Sequence, residues 1–200
     1  MKLLNKTCVS LQVKANHTYL IRGPNGCGKS LLLRSIALLH QSSFKEFHFE
    51  GKSVETLNPQ SFRRQVLYVP PVPLDTSSTV SYYFQSPWKL KAYQEQTPLP
   101  QCKEILIEKG FWSRDFSLLS SGEKQFVQIL RALAINPQCL LLDETTSHMD
   151  FTKIKEVEKL IQEHQKEFKT TLIIVSHDEN QISRLNATIW DFKNDLLVTP

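Results

Sequence analysis

The octapeptide Gly23-Pro-Asn-Gly-Cys-Gly-Lys-Ser30 constrains this chain more than any other part of it. It fits G-x-x-x-x-G-K-[ST], the Walker A phosphate loop. An apolar, strand-like run (Tyr19-Leu-Ile21) precedes it and a helical one (Ser30 to Ala37) follows, which is the context the motif requires. Glycines let the backbone fold tightly enough to aim successive N–H groups at phosphate oxygens, and the helix start adds the positive end of its dipole. The expected nucleotide-binding residues are Gly23, Pro24, Asn25, Gly26, Cys27, Gly28, Lys29, Ser30 and Leu31. Lys29 would reach the β- and γ-phosphates of the nucleotide, and the Ser30 hydroxyl would ligate Mg²⁺. A bare glycine turn is the bland alternative, and Lys-Ser with these flanks weighs strongly against it.

Two hundred residues suffice for one well-buried α/β domain and not for two comfortable ones. Hydrophobic content of 40% and charged content of 22% are those of a soluble globular protein. No apolar run approaches the ~18 residues of a membrane span, and the start lacks a signal-peptide pattern. The formal charge of +4 comes from scattered Lys and Arg, so no nucleic-acid partner is expected. Cys8, Cys27, Cys102 and Cys139 have no paired spacing, and read as reduced thiols of a cytoplasmic protein.

Along the chain, Thr7–Val13 and Thr18–Arg22 read as strands leading into the loop, and a helix follows it to about Leu39. Phe47 to Glu50 before Gly51 reads as a strand and turn, Pro59 as a short helix start, and Val66–Val69 as a strand. Ser81–Gly110 carries aromatics and prolines without apolar strands and reads as a helical insertion. A helix is expected from Ser121 to Asn136. Cys139–Leu142 and Thr171–Val175 look like central parallel strands buried on both faces. Between them Phe151, Ile154, Val157, Leu160, Ile161, His164 and Phe168 recur at helical spacing and mark one core stripe. On that stripe His164 reads as a core-edge residue rather than a ligand. Strands alternating with helices predict a mainly parallel, doubly wound sheet.

The run from Cys139 to Leu142 ends in Asp143-Glu144, and charge at the C-terminal edge of an apolar strand points to a site. Asp143 is the second expected Mg²⁺ residue, and Glu144 is placed to take a proton from an attacking water. A helix-capping acidic pair is the structural alternative, weakened by the phosphate loop upstream.

Leu119-Ser-Ser-Gly-Glu-Lys-Gln125 resembles the LSGGQ-type signature of ATP-binding cassette (ABC) ATPases. Ser147-His-Met-Asp150 is similar to the D-loop of that family, and Val175-Ser-His177-Asp to its H-loop. Together these elements run from Gly23 to His177. The resemblance implies an α/β P-loop fold in one domain, with a mainly parallel core (about 1–80 and 137–200) and a helical subdomain (about 81–136). It also implies a head-to-tail homodimer with each ATP held between one subunit's Walker motifs and the partner's signature. Ser120, Ser121, Gly122 and Glu123 would then serve the partner's nucleotide, Asp150 would join the nucleotide site, and Glu144, His177 and Lys29 would be catalytic. A Ser hydroxyl, a flexible Gly and a helix start suit an anion. The implied partner is a membrane permease, which would hold the chain at the inner face of the cell membrane.

Phe49 to Pro59, Phe62 to Tyr68 and Ser86-Pro-Trp88 further resemble the cassettes of bacterial iron-export systems. Two departures stand against the pattern. Pro71 occupies the place of the Q-loop glutamine, which normally reaches Mg²⁺ and water, and it offers no such side chain. The stretch before Thr7 is also shorter than the family's, with no room for the usual adenine-stacking aromatic. Alternatives are a soluble ABC ATPase acting elsewhere, or a regulatory cassette of low turnover. The groove near Pro70–Leu74 with Tyr82, Tyr83, Phe84 and Trp88 is the expected docking surface; some of its aromatics are candidates for an exposed patch, and inward packing is the even alternative for each.

Overall fold

A computed structural model describes residues 2–3, 7–8, 10–74, 76–90, 93, 110–193 and 196–198. Along the described residues the chain runs through β1 (Lys2–Leu3), β2 (Thr7–Cys8), β3 (Thr18–Arg22), α1 (Lys29–Ile36), β4 (His48–Phe49), β5 (Lys52–Ser53), α2 (Pro59–Gln65), β6 (Val66–Val69), α3 (Val80–Gln85), α4 (Ser121–Ile135), β7 (Cys139–Asp143), α5 (Phe151–Phe168), β8 (Thr171–Val175), α6 (Glu179–Leu185), β9 (Thr188–Lys193) and β10 (Leu196–Val198). The main sheet has the order β10-β9-β3-β8-β7-β6, parallel throughout except at the β10–β9 edge. This is the expected α/β architecture.

Strand alternation divides the core between two faces. On one, Cys139, Leu141, Ile173 and Val175 pack with Leu32 and Leu33 of α1 and Phe62 of α2. On the other, Leu140, Leu142, Leu172 and Ile174 pack with Ile129, Leu130 and Leu133 of α4 and Val157 and Ile161 of α5. Covered on both sides, β7 and β8 are buried along their whole length, which is why they read as continuous apolar runs. The C-terminal ends of β3, β7 and β8 therefore emerge side by side, at the edge where open parallel sheets place their ligands.

Several sequence expectations need correction. The strand expected at Thr7–Val13 is the two-residue β2; beyond it Leu11 is half-buried against the core while Ser10, Gln12, Val13 and Lys14 are exposed. α1 ends at Ile36, three residues early, because Leu38 adopts a left-handed conformation (φ 55°). Leu39 N–H then bonds Arg34 O and Leu38 N–H bonds Ser35 O, a Schellman closure. Phe151 lies outside the core stripe of α5, with its ring under Lys155 and Arg184. β9 and α6 were not anticipated at all.

The aromatic segment also turns inward. Phe84 and Tyr83 are buried, and Trp88 is half-buried against the core, so of the four aromatics only Tyr82 is exposed. Tyr83 is held between Phe116, stacked at 3.9 Å, and the Arg131 guanidinium at 4.0 Å. With Val80, Phe111, Leu119 and Val127 it forms a small third core. Much of the expected insertion (91–92 and 94–109), Cys102 included, lies outside the described residues.

Candidate active site at the strand ends

Gly28, at φ 103°, is the N-cap of α1, a conformation that L side chains rarely adopt. No side chain caps this helix start, so its first N–H groups face the loop mouth. Lys29 is buried and its Nζ donates to Gly23 O (2.9 Å) and Pro24 O (3.0 Å), wrapping back along the loop. Cys27 is half-buried within the loop. Buried Cys139 lies at the far end of β7; desolvation pushes its thiol up to about 12, leaving it inert.

Asp143 ends β7 fully buried, on the α1 face of the sheet. Ser30 Oγ donates to its Oδ1 at 3.0 Å, so the two expected Mg²⁺ residues meet. A serine that gives its proton to a carboxylate turns its lone pairs outward, and two hard oxygen groups side by side suit a small divalent cation. The other carboxylate oxygen accepts from Tyr68 Oη at 2.7 Å, and Arg34 Nε donates to that hydroxyl at 3.2 Å. Burial, above all, pushes the Tyr68 phenol up to about 12, so it remains a donor at neutral pH.

Glu144 leaves the strand in a left-handed conformation (φ 51°), its N–H bonded to Val175 O of β8 at 3.0 Å. Its Oε1 lies 3.2 Å from His177 Nε2, just beyond β8, with His177 about half exposed. A carboxylate and an imidazole in contact at an open mouth can take up and hold a proton from a bound water. Asp178 caps α6 and pairs with Arg184, which holds its carboxyl below the usual range.

Ser120 caps α4 in a capping box with Glu123: Ser120 Oγ accepts from Glu123 N, and Glu123 Oε2 accepts from Ser120 N. Ser121 and Gly122 form the first turn. A Cβ on Gly122 would stand 2.8 Å from His148 O, so only glycine permits this contact with the loop after Glu144. Asp150 serves as the N-cap of α5, accepting from Lys153 N at 2.9 Å.

Sequence reasoning missed Tyr68 and Arg34, and gave no role to Gln125. Buried Gln125 donates from Nε2 to Pro71 O (2.9 Å) and contacts His148 Nδ1 (3.1 Å), while its Oε1 accepts from His148 N (3.4 Å). It joins α4 to the segment after β6 and the loop after Glu144. Gln125 stands four residues before Ile129 and seven before Ala132, and a polar residue at that spacing on an apolar helix face is the sequence signal that could have found it.

Fold and loop together define a P-loop nucleotide-binding protein. The family model for ABC transporters matches residues 7–147, and the chain belongs to this family, as an ATP-binding ATPase domain. It is 32% identical over 190 residues to the probable iron export ATP-binding protein FetA of Escherichia coli (strain K12), covering 94% of this chain and 84% of that protein. It is 31% identical to a spermidine/putrescine import ATP-binding protein PotA of Roseobacter denitrificans, covering 90% of this chain and half of that one. In fold it matches a solved ATP-binding subunit of an ABC transporter (TM-score 0.80, 21% identity, 94% of this chain and 80% of the other). Among the described residues no helix is long and apolar enough to cross a membrane.

Proposed function

We propose that this chain hydrolyses ATP to ADP and phosphate as a head-to-tail homodimer and thereby powers a separate membrane permease. The Glu144–His177 pair, 3.2 Å apart where β7 and β8 end, carries this reading. Glu144 takes a proton from water as the water oxygen attacks the γ-phosphorus, and the bond from that phosphorus to the β–γ bridging oxygen breaks, releasing ADP. His177 holds the Glu144 carboxylate from the open side and faces the γ-phosphate. Lys29 and the N–H groups at the start of α1 hold the β- and γ-phosphate oxygens. Ser30 and Asp143 would hold Mg²⁺, which when bound screens the phosphate charge.

In the dimer, Ser120, Ser121, Gly122 and Glu123 of one subunit close over the other's γ-phosphate, with Asp150 at the same interface. The core spans about 1–80 and 137–200 and the helical subdomain about 81–136. Between them runs a groove of about 400 Å³, lined by Pro70, Pro87, Leu90, Gln128 and Arg131 among others. With Val72 and Leu74 exposed beside it, this is the proposed seat of the permease, through which the chain would sit at the inner face of the membrane. Similarity to FetA over most of both chains supports iron as the cargo and export as the direction. No nucleic acid enters this reading. A second reading, a low-turnover regulatory cassette, draws on Pro71, whose carbonyl is tied to Gln125 and whose side chain brings nothing to the site.

Phosphate release by the purified protein with Mg²⁺ and ATP tests the reading. Glu144→Gln should keep ATP binding and lower turnover by roughly 10²-fold or more, the scale of a lost general base. It should also trap an ATP-bound dimer visible by size exclusion. An unchanged rate with only monomer present would remove Glu144 from the role.

A further inference from the structure

Tyr68 is a polar side chain at the site that neither the motifs nor the mechanism uses. It stands in β6 opposite Leu141 of β7, two residues before Asp143 in the parallel register. Residues two apart on a strand share a face, so Leu141 and Asp143 lie on the same side of the sheet. The Tyr68 ring packs against the core on that side, and its hydroxyl donates to Asp143 Oδ2 at 2.7 Å. Arg34 Nε donates to the same hydroxyl oxygen, with its guanidinium 5.8 Å from the ring centroid. Ser30 holds the opposite carboxylate oxygen.

A carboxylate turns about a broad, two-fold torsion. One hydroxyl fixes one oxygen and leaves that rotation open; hydroxyls on both oxygens close it. The bonds run in series from Arg34 through Tyr68 to Asp143, and a guanidinium donating to a phenol oxygen polarises its O–H toward the carboxylate. After β6 the chain enters Pro70-Pro71-Val72-Pro73, which offers no polar side chain, so Tyr68 is the polar group this strand sends to the site.

The geometry points to Tyr68, backed by Arg34, as a positioning residue that fixes the orientation of Asp143 and so sets the Mg²⁺ affinity of the nucleotide site. This rests on the reading of Ser30 and Asp143 as the residues that hold the ion. The test is binding of a fluorescent ATP analogue, titrated with Mg²⁺ and repeated in EDTA, for the wild type, Tyr68→Phe, Arg34→Met and Asp143→Asn. Tyr68→Phe should raise the half-saturating Mg²⁺ concentration roughly ten-fold, the effect of one hydrogen bond to a charged group. Its affinity in EDTA should not change. Arg34→Met should shift the Mg²⁺ curve the same way by a smaller factor, and add little on top of Tyr68→Phe.

A half-saturation within two-fold of wild type in Tyr68→Phe overturns the inference. So does an equal loss of binding in EDTA, which would mean that the hydroxyl shapes the loop rather than the carboxylate. Asp143→Asn separates the two readings: if it leaves the Mg²⁺ dependence intact, the ion site itself is misplaced. If it abolishes that dependence while Tyr68→Phe is inert, only the positioning role fails. Should Tyr68→Phe not fold, Arg34→Met decides, with a curve within experimental error of wild type counting against the role.

Discussion

His164 sits beneath the last turn of α4, where its Nε2 donates to Leu133 O at 3.1 Å and its Nδ1 lies 3.3 Å from Thr170 Oγ1. Burial, the larger effect, pushes its pKa from 6.5 down to about 4, against the opposing pull of the Leu133 carbonyl. The sign follows from proton counting: between pH 4 and 6.5 the unfolded chain binds a proton that the folded one refuses, so stability falls as pH falls. The contribution is full above pH 6.5 and reaches a loss of about 3 kcal/mol below pH 4. At pH 5 it amounts to about 2 kcal/mol. The comparison is His164→Gln, which cannot titrate, with both proteins unfolded by urea at pH 7.5 and pH 5. Whatever the variant loses in packing at pH 7.5, the wild type should lose about 2 kcal/mol more than the variant on acidification. A difference that stays within about 0.5 kcal/mol across that range would refute the reasoning, because His164 would then be titrating alike in both states.

Pro71→Gln should raise the phosphate-release rate of the isolated chain, since it restores a side chain able to orient water and cation, and positioning supplies much of phosphoryl-transfer catalysis; an unchanged or lower rate in a folded variant counts against this. Gly122→Ala should lower turnover with ATP binding retained, because its methyl, 2.8 Å from His148 O, must displace the loop that follows Glu144. A crystal structure of that variant with the loop unmoved would show the contact to be unimportant.

What the sequence disclosed depended on whether a residue's partners were near it in the chain. β3, β6, β7, β8 and the stripe of α5 were legible because burial on two faces or one writes itself into local periodicity. The phosphate loop was legible because its chemistry is contained in eight consecutive residues. The direction of Tyr83 stayed open because hydrophobicity alone does not say which way a ring turns. Its two faces are covered by Phe116 and Arg131, far along the chain. Tyr68 and Gln125 were missed for the same reason, since Asp143 and Pro71 meet them across 75 and 54 residues. β9 was the avoidable omission, with buried Trp190 and Phe192 alternating with half-exposed Ile189 and Asp191 at a strand's period of two.

The left-handed backbone at Glu144 bears on why two carboxylates in direct succession can work together at all. In a ladder that ran one residue further, neighbouring side chains would point to opposite faces. Asp143 would keep its place beside Ser30, but the next carboxylate would be driven down among Leu142, Ile174 and the helices behind them. There an unpaired charge would cost several kcal/mol. A single residue at φ 51° breaks the alternation, and its carboxylate instead meets His177 just beyond β8. It does so for the roughly 1–2 kcal/mol that a left-handed L-residue costs. An acidic doublet at a strand end is thus a geometric instruction as much as a chemical one: the first acid belongs to the sheet, and the second must already have left it.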